Sequence, residues 1–168
     1  MLVYEWVDGD LLRRSTARER FRNLSTDEIL VCLDQIFELH VELASAGRIA
    51  VDSYDGCLIY DFLSRGIHVV DLDGYHEGPF LNKMGRMFGS SRFMAPEELQ
   101  YGERIDERTT VFTLGRTAAV LASDGSLNPT SFRGPKSLCN VMARACDPVV
   151  QNRFQSVRDF HSAWRTDR

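Results

Sequence analysis

The residues of this 168-residue chain whose types and positions could do chemistry are three aspartates, one glutamate and one arginine. Asp52 stands in the run AVDSYDGCLI, and Asp71 and Asp73 form an Asp-Leu-Asp triplet directly behind the apolar segment IHVV. A carboxylate can accept the proton of an incoming hydroxyl, or it can hold a hard cation that prefers oxygen ligands. Further along, Glu97 lies in RFMAPEELQYGERIDERTTVFTLG, residues 92–115, and Arg153 lies in QNRFQSV. A partly buried carboxylate such as Glu97 needs a charged partner. Taken singly, a loop aspartate or a D-L-D triplet carries little meaning, so the order of the elements around these residues has to decide.

Those elements read as a mainly α domain with a small β-hairpin. Residues 2–6, LVYEW, predict a strand that ends in the turn Val7-Asp8-Gly9-Asp10. The Arg-rich stretch 11–22 predicts a short exposed helix, and Arg13 to Arg22 reads as a solvated face with a partner surface as the minor reading. Ser25 followed by Glu28 is a capping-box signature, and apolar positions from Leu30 to Leu43, with His40 facing the core, continue at helical spacing to Gly47. Residues 57–60 and 67–70 predict the hairpin, and 71–91 a long loop. Helical spacing returns at Val111 to Ala122 with Thr109 or Thr110 as cap, again behind Pro135 as far as Asp147-Pro148, and finally from Ser156 through Val157, Phe160 and Trp164. Tyr4, Trp6, Phe93, Phe112 and Phe160 read as core aromatics.

Composition narrows the classes. A chain that is 43% hydrophobic and 26% charged has an ordinary globular make-up and length for one domain over residues 1–168. A net charge of -4 offers no counterion-release footprint for nucleic acid, and no apolar run reaches the roughly 18 residues of a membrane helix. MLVYEWVDGD lacks the basic and apolar regions of a secretory signal, so a cytoplasmic location is expected. Cys32, Cys57, Cys139 and Cys146 contain no C-x-x-C pair and read as buried free thiols. His68 has no acidic partner at metal spacing.

The order of landmarks, Asp52-x4-Cys57-Leu58-Ile59, Asp71-Leu72-Asp73, Ala95-Pro96-Glu97, D-x-R-T-x-V-F-x-L-G and R-F-x-S-V, resembles the C-terminal lobe of the protein kinase superfamily over nearly the whole chain. The resemblance implies that residues 1–9 are hinge-like, 50–60 catalytic-loop-like and 71–97 activation-segment-like. It implies Asp52 as the base for an acceptor hydroxyl, and Asp71 with Asp73 as ligands of Mg2+. Glu5, Trp6 and Val7 would offer the adenine edge of ATP, and Glu97 would pair with Arg153.

Several positions depart from the family pattern. Cys57 stands where a metal-binding Asn belongs, and a thiol is too soft to replace it for magnesium. Asp73 adds a carboxylate in compensation, with Asp55 a further candidate. Val51 replaces the Arg that receives a phosphorylated activation loop, Tyr54 replaces the catalytic-loop Lys, and Thr110 replaces the Asp that braces the catalytic loop, leaving a hydroxyl to bond its backbone. Neither a Gly-rich loop nor an ATP-positioning Lys precedes the hinge-like run.

Each lost donor aimed at transition-state charge costs about 2.7 to 4 kcal/mol, so the chain alone is expected to have negligible kinase activity and weak or absent ATP binding. Two expectations follow. One is a Ser/Thr-kinase-like phosphotransferase whose N-lobe lies upstream; the other is a pseudokinase-like module that docks a protein partner or self-associates through an exposed apolar lobe surface. Neither nucleic acid nor membrane is an expected partner.

Overall fold

The computed structural model describes residues 6–168, so Tyr4, Glu5 and the rest of the hinge-like run before Trp6 lie outside the described residues. Among the described residues, five α-helices and small antiparallel sheets make the fold mainly α. Strand β1 (Asp10–Leu11) leads into α1 (Ser15–Arg22) and the long α2 (Thr26–Ser45). Short strands β2 (Arg48–Ile49), β3 (Leu58–Asp61), β4 (Gly66–Val69), β5 (His76–Glu77), β6 (Phe80–Leu81) and β7 (Arg104–Ile105) follow. Helices α3 (Glu107–Ala122), α4 (Lys136–Ala145) and α5 (Val157–Thr166) close the chain.

Helix α2 begins as its sequence dictates. The Ser25 hydroxyl accepts from the Glu28 amide at 3.2 Å while Glu28 accepts from the Ser25 amide at 2.9 Å, which satisfies two of the orphan donors of the first turn. It buries Ile29, Leu33, Ile36, Phe37 and His40, and Phe37 meets Phe160 and Trp164 of α5 edge-on at 4.8 and 5.1 Å. Helix α3 is buried almost all round and runs through the centre of the core. Gly115 is required on it: a Cβ there would lie 2.8 Å from both Ala145 Cβ and Cys146 Sγ, where α3 meets α4.

Several expectations need correction. The hairpin of β3 and β4 is joined by β1 into a three-stranded sheet, because Asp10 and Leu11 pair with Tyr60 and Ile59. Within 6–9 no strand forms, and Trp6 is 86% exposed with its indole N–H donating to Asp8, so it belongs to no core. The Arg-rich helix starts later than its composition suggests and is anchored by buried Ala17 and Phe21. The expected long loop carries β5 and β6; β5 pairs back to β2, and β6 pairs ahead to β7. Cys57 sits in a short 3-10 turn ahead of β3, and all four cysteines are buried and free.

The cap of α3 is also different. Asp106 accepts from the Arg108 amide at 3.0 Å and is the N-cap, and Thr109 completes a capping box by accepting from the Asp106 amide at 3.4 Å. Thr109 donates to Glu97 at 2.9 Å, and Thr110 accepts from the Ala50 amide at 3.0 Å. No helix forms between α3 and α4; Asp124 organises that connector by accepting from Ser126, Ser131 and Ser123, bonds that hold its carboxyl far below the usual range.

Candidate functional site

Asp52 and Asp71 lie close enough for the charge of one to act on the other. Both adopt left-handed backbone, with φ of 57° and 62°, conformations that a non-glycine residue holds only where its surroundings enforce it. Burial pushes the Asp52 carboxyl upward, and the nearby Asp71 charge pushes it further. Asp52 is half-buried, whereas Asp71 and Asp73 are exposed, Asp73 within the 3-10 turn Leu72–Gly74. The strand IHVV delivers this turn, and Gly74 lets it lie against the Asp52 loop: a Cβ on Gly74 would sit 2.9 Å from the Val51 carbonyl.

Two further contacts fix these loops from below. The Thr110 hydroxyl on α3 accepts from the Ala50 amide and so braces the Asp52 loop without a charge. On the other side, the buried His40 of α2 approaches the Ile36 carbonyl through Nδ1 at 2.7 Å and the Tyr75 hydroxyl through Nε2 at 2.7 Å. A carbonyl can only accept, so Nδ1 carries the proton and Nε2 accepts from Tyr75. Its one proton spent on His40, Tyr75 accepts a long bond of 3.4 Å from the hydroxyl of Ser53, next to Asp52. Burial drives the His40 pKa down to about 4 and the Tyr75 pKa up to about 12, so both are neutral near pH 7. The helical spacing placed His40 in the core; its link to Tyr75 spans 35 residues and had no local signal.

Glu97 and Arg153 form a buried, two-pronged ion pair. Arg153 Nη1 and Nη2 donate to Glu97 Oε1 and Oε2 at 2.7 and 3.0 Å, with side chains 0% and 4% exposed. Arg153 Nε also donates to the Asp147 carbonyl, and its guanidinium lies 4.7 Å from the centroid of the Phe112 ring. Glu98 beside it is buried as well, and desolvation, helped by the Glu97 and Asp52 charges, raises it to about 7.

Asp55 is not a metal ligand. It is 1% exposed, and its Oδ2 is taken by Arg18 at 3.1 Å and Arg92 at 2.6 Å. This double pair was not legible, because Arg18 and Arg92 each lie 37 residues away from Asp55 and in opposite directions. The Cys57 thiol is buried, raised by desolvation, and directed at the Asp52 carbonyl at 3.4 Å. Among the described residues, no group of three or more His, Cys, Asp or Glu is arranged to hold a metal ion. Two exposed carboxylates, Asp71 and Asp73, remain on the turn as oxygen donors, and the Cys57 thiol, too soft a donor for magnesium, is turned into the protein. Among the described residues, Trp6 and Val7 make no hydrogen bond with these acids, and the Trp6 indole donates to Asp8 instead.

Among the described residues, no helix is long and apolar enough to cross a membrane. No protein-family model matches the chain, and no curated protein matches it.

Proposed function

We propose that this chain is a protein-kinase-like C-lobe that serves as a binding module for a protein partner and does not itself transfer phosphate. One observation carries this reading: the Cys57 thiol, in the metal-ligand position of the resemblance, is sealed at 2% exposure and points into the protein toward the Asp52 carbonyl. Phosphoryl transfer depends on metal charge neutralisation, and a protonated inward thiol contributes nothing to it. The scaffolding contacts support the kinase-like reading. The Glu97–Arg153 pair and the Thr110–Ala50 bond join elements in the order the landmarks imply.

The opposing reading is a phosphotransferase with Asp52 as the base for an acceptor hydroxyl and Asp71 and Asp73 as Mg2+ ligands for ATP. The left-handed backbone at both Asp52 and Asp71 favours it, since strain of this kind gathers at reactive sites. Calorimetric titration with Mg-ATP separates the two. The binding-module reading expects no saturable heat at millimolar nucleotide; saturable binding that is lost in Asp71→Asn overturns it.

A further inference from the structure

Beside Asp52 opens a cleft of about 560 Å³ whose walls are unusually basic for an acidic chain. Arg13 enters from the segment before α1, and Arg86 and Arg92 from the segment ahead of Ala95-Pro96-Glu97. Ser90 and Ser91 lie between them, and Tyr54 forms part of the wall. Among the described residues, neither Arg13 nor Arg86 has an ion-pair partner, although Arg13 lies 5.7 Å from the centroid of the Tyr54 ring. The two serine hydroxyls are likewise without a hydrogen-bond partner among the described residues. Arginines with no carboxylate bound to them, beside hydroxyls free to donate, form a donor-rich surface.

Asp55 makes this arrangement deliberate in physical terms. It lines the same cleft, fully buried, and ties Arg92 and Arg18 to one oxygen, while its Oδ1 has no hydrogen-bond partner. A buried carboxylate half satisfied is costly, and what it secures here is the position of the Arg92 side chain at the cleft rim. Two charges offset the arginines, those of Asp52 and Asp55. Asp55 is already matched by two arginines, so among the residues lining the cleft Arg13 and Arg86 are opposed only by Asp52, and the lining carries an excess of positive charge.

We infer that this cleft docks an acidic peptide segment of the protein partner, with Arg13 and Arg86 taking its carboxylates. The inference rests on the binding-module reading and names the partner's chemistry. An extended peptide fits better than a compact ion, because the donors come from two separated stretches of chain around an open cleft and not from one cage. The aromatic wall suits the aliphatic stems of Glu side chains.

The test is fluorescence anisotropy on the full chain without nucleotide, using a labelled Glu-rich peptide and a Gln-rich peptide of equal length. The Glu-rich peptide is expected to bind saturably, and more weakly as salt is raised. Arg13→Ala/Arg86→Ala should weaken it about tenfold or more, while Arg22→Ala/Arg165→Ala, which removes the same charge from exposed helix positions, should change it less than about twofold. Equal binding of both peptides, equal loss in the two variants, or free glutamate competing as well as the peptide would each overturn the inference. The cleft variants remove side chains with no ion pair, so circular dichroism and melting should match the parent. Failure here with no Mg-ATP binding rejects only the acidic ligand; saturable Mg-ATP binding rejects the module reading whatever the peptide does.

Discussion

Arg153 reaches Glu97 across 56 residues with two nearly parallel hydrogen bonds of 2.7 and 3.0 Å, in a site closed to water on both sides. Removing one partner leaves the other charged, buried and unpaired, which is far more costly than losing an exposed pair. Arg153→Ala should therefore lose about 3 to 5 kcal/mol of stability in urea melts. A loss under about 1 kcal/mol, the range of surface pairs, would contradict the sealed geometry.

Glu98 gives stability an unusual pH dependence. Its pKa is about 7 in the folded chain against an ordinary 4.5, so the folded state holds a proton that the unfolded state has released. The contribution is fully present below pH 4.5 and is lost as pH rises toward 7, by about 3 kcal/mol in all. Glu98→Gln keeps an oxygen for the Ala95 amide, which now donates to Glu98 at 2.7 Å, but cannot ionise. Relative to the parent, Glu98→Gln should gain stability as pH rises from about 4.5 to about 7. A pH-independent difference between the two proteins would refute the role given to the acid.

His40 acts with the opposite sign. Its pKa falls from 6.5 to about 4 on folding, so its contribution is present above 6.5 and is lost as pH drops toward 4. Tyr75→Phe removes the donor to Nε2 without adding volume and should cost about 1 to 3 kcal/mol at pH 7, the range for an unsatisfied buried acceptor. Because Tyr75 follows the Asp71–Asp73 turn, amide exchange across 71–75 should quicken in this variant beyond what its melting temperature explains. Unchanged protection there would show that the bond does not hold the turn.

Local rules carried much of the fold into the sequence. The capping box at Ser25, the apolar period of α2 and the Ser156 start of α5 concern residues three or four apart, where side chains on a helix necessarily meet. Asp52 and Asp71 were singled out by the resemblance of residues 50–59 and of the Asp-Leu-Asp triplet behind IHVV to a kinase pattern. What remained hidden depends on distant pairing. Thr109 does join the α3 cap, but its bond to Glu97 and the bond from the Ala50 amide to Thr110 depend on residues that only the chain's path brings to them. Asp55 looked like a metal candidate until Arg18 and Arg92 converged on it, and Trp6 looked like core although no strand forms around it.

The juxtaposition of Asp52 and Asp71 is itself open to measurement. Asp52 is raised first by burial and second by the Asp71 charge, so the two causes can be separated by removing one of them. Asp71→Asn keeps the size of the side chain and deletes the charge, and the Asp52 carboxyl should then titrate at lower pH when followed by carbon NMR. Burial remains, so the midpoint should fall only part of the way to that of an exposed aspartate. An unchanged Asp52 titration would place the two carboxylates too far apart to act on a common group, and it would weaken the phosphotransferase reading more than the binding reading, because only the former needs both acids at one point.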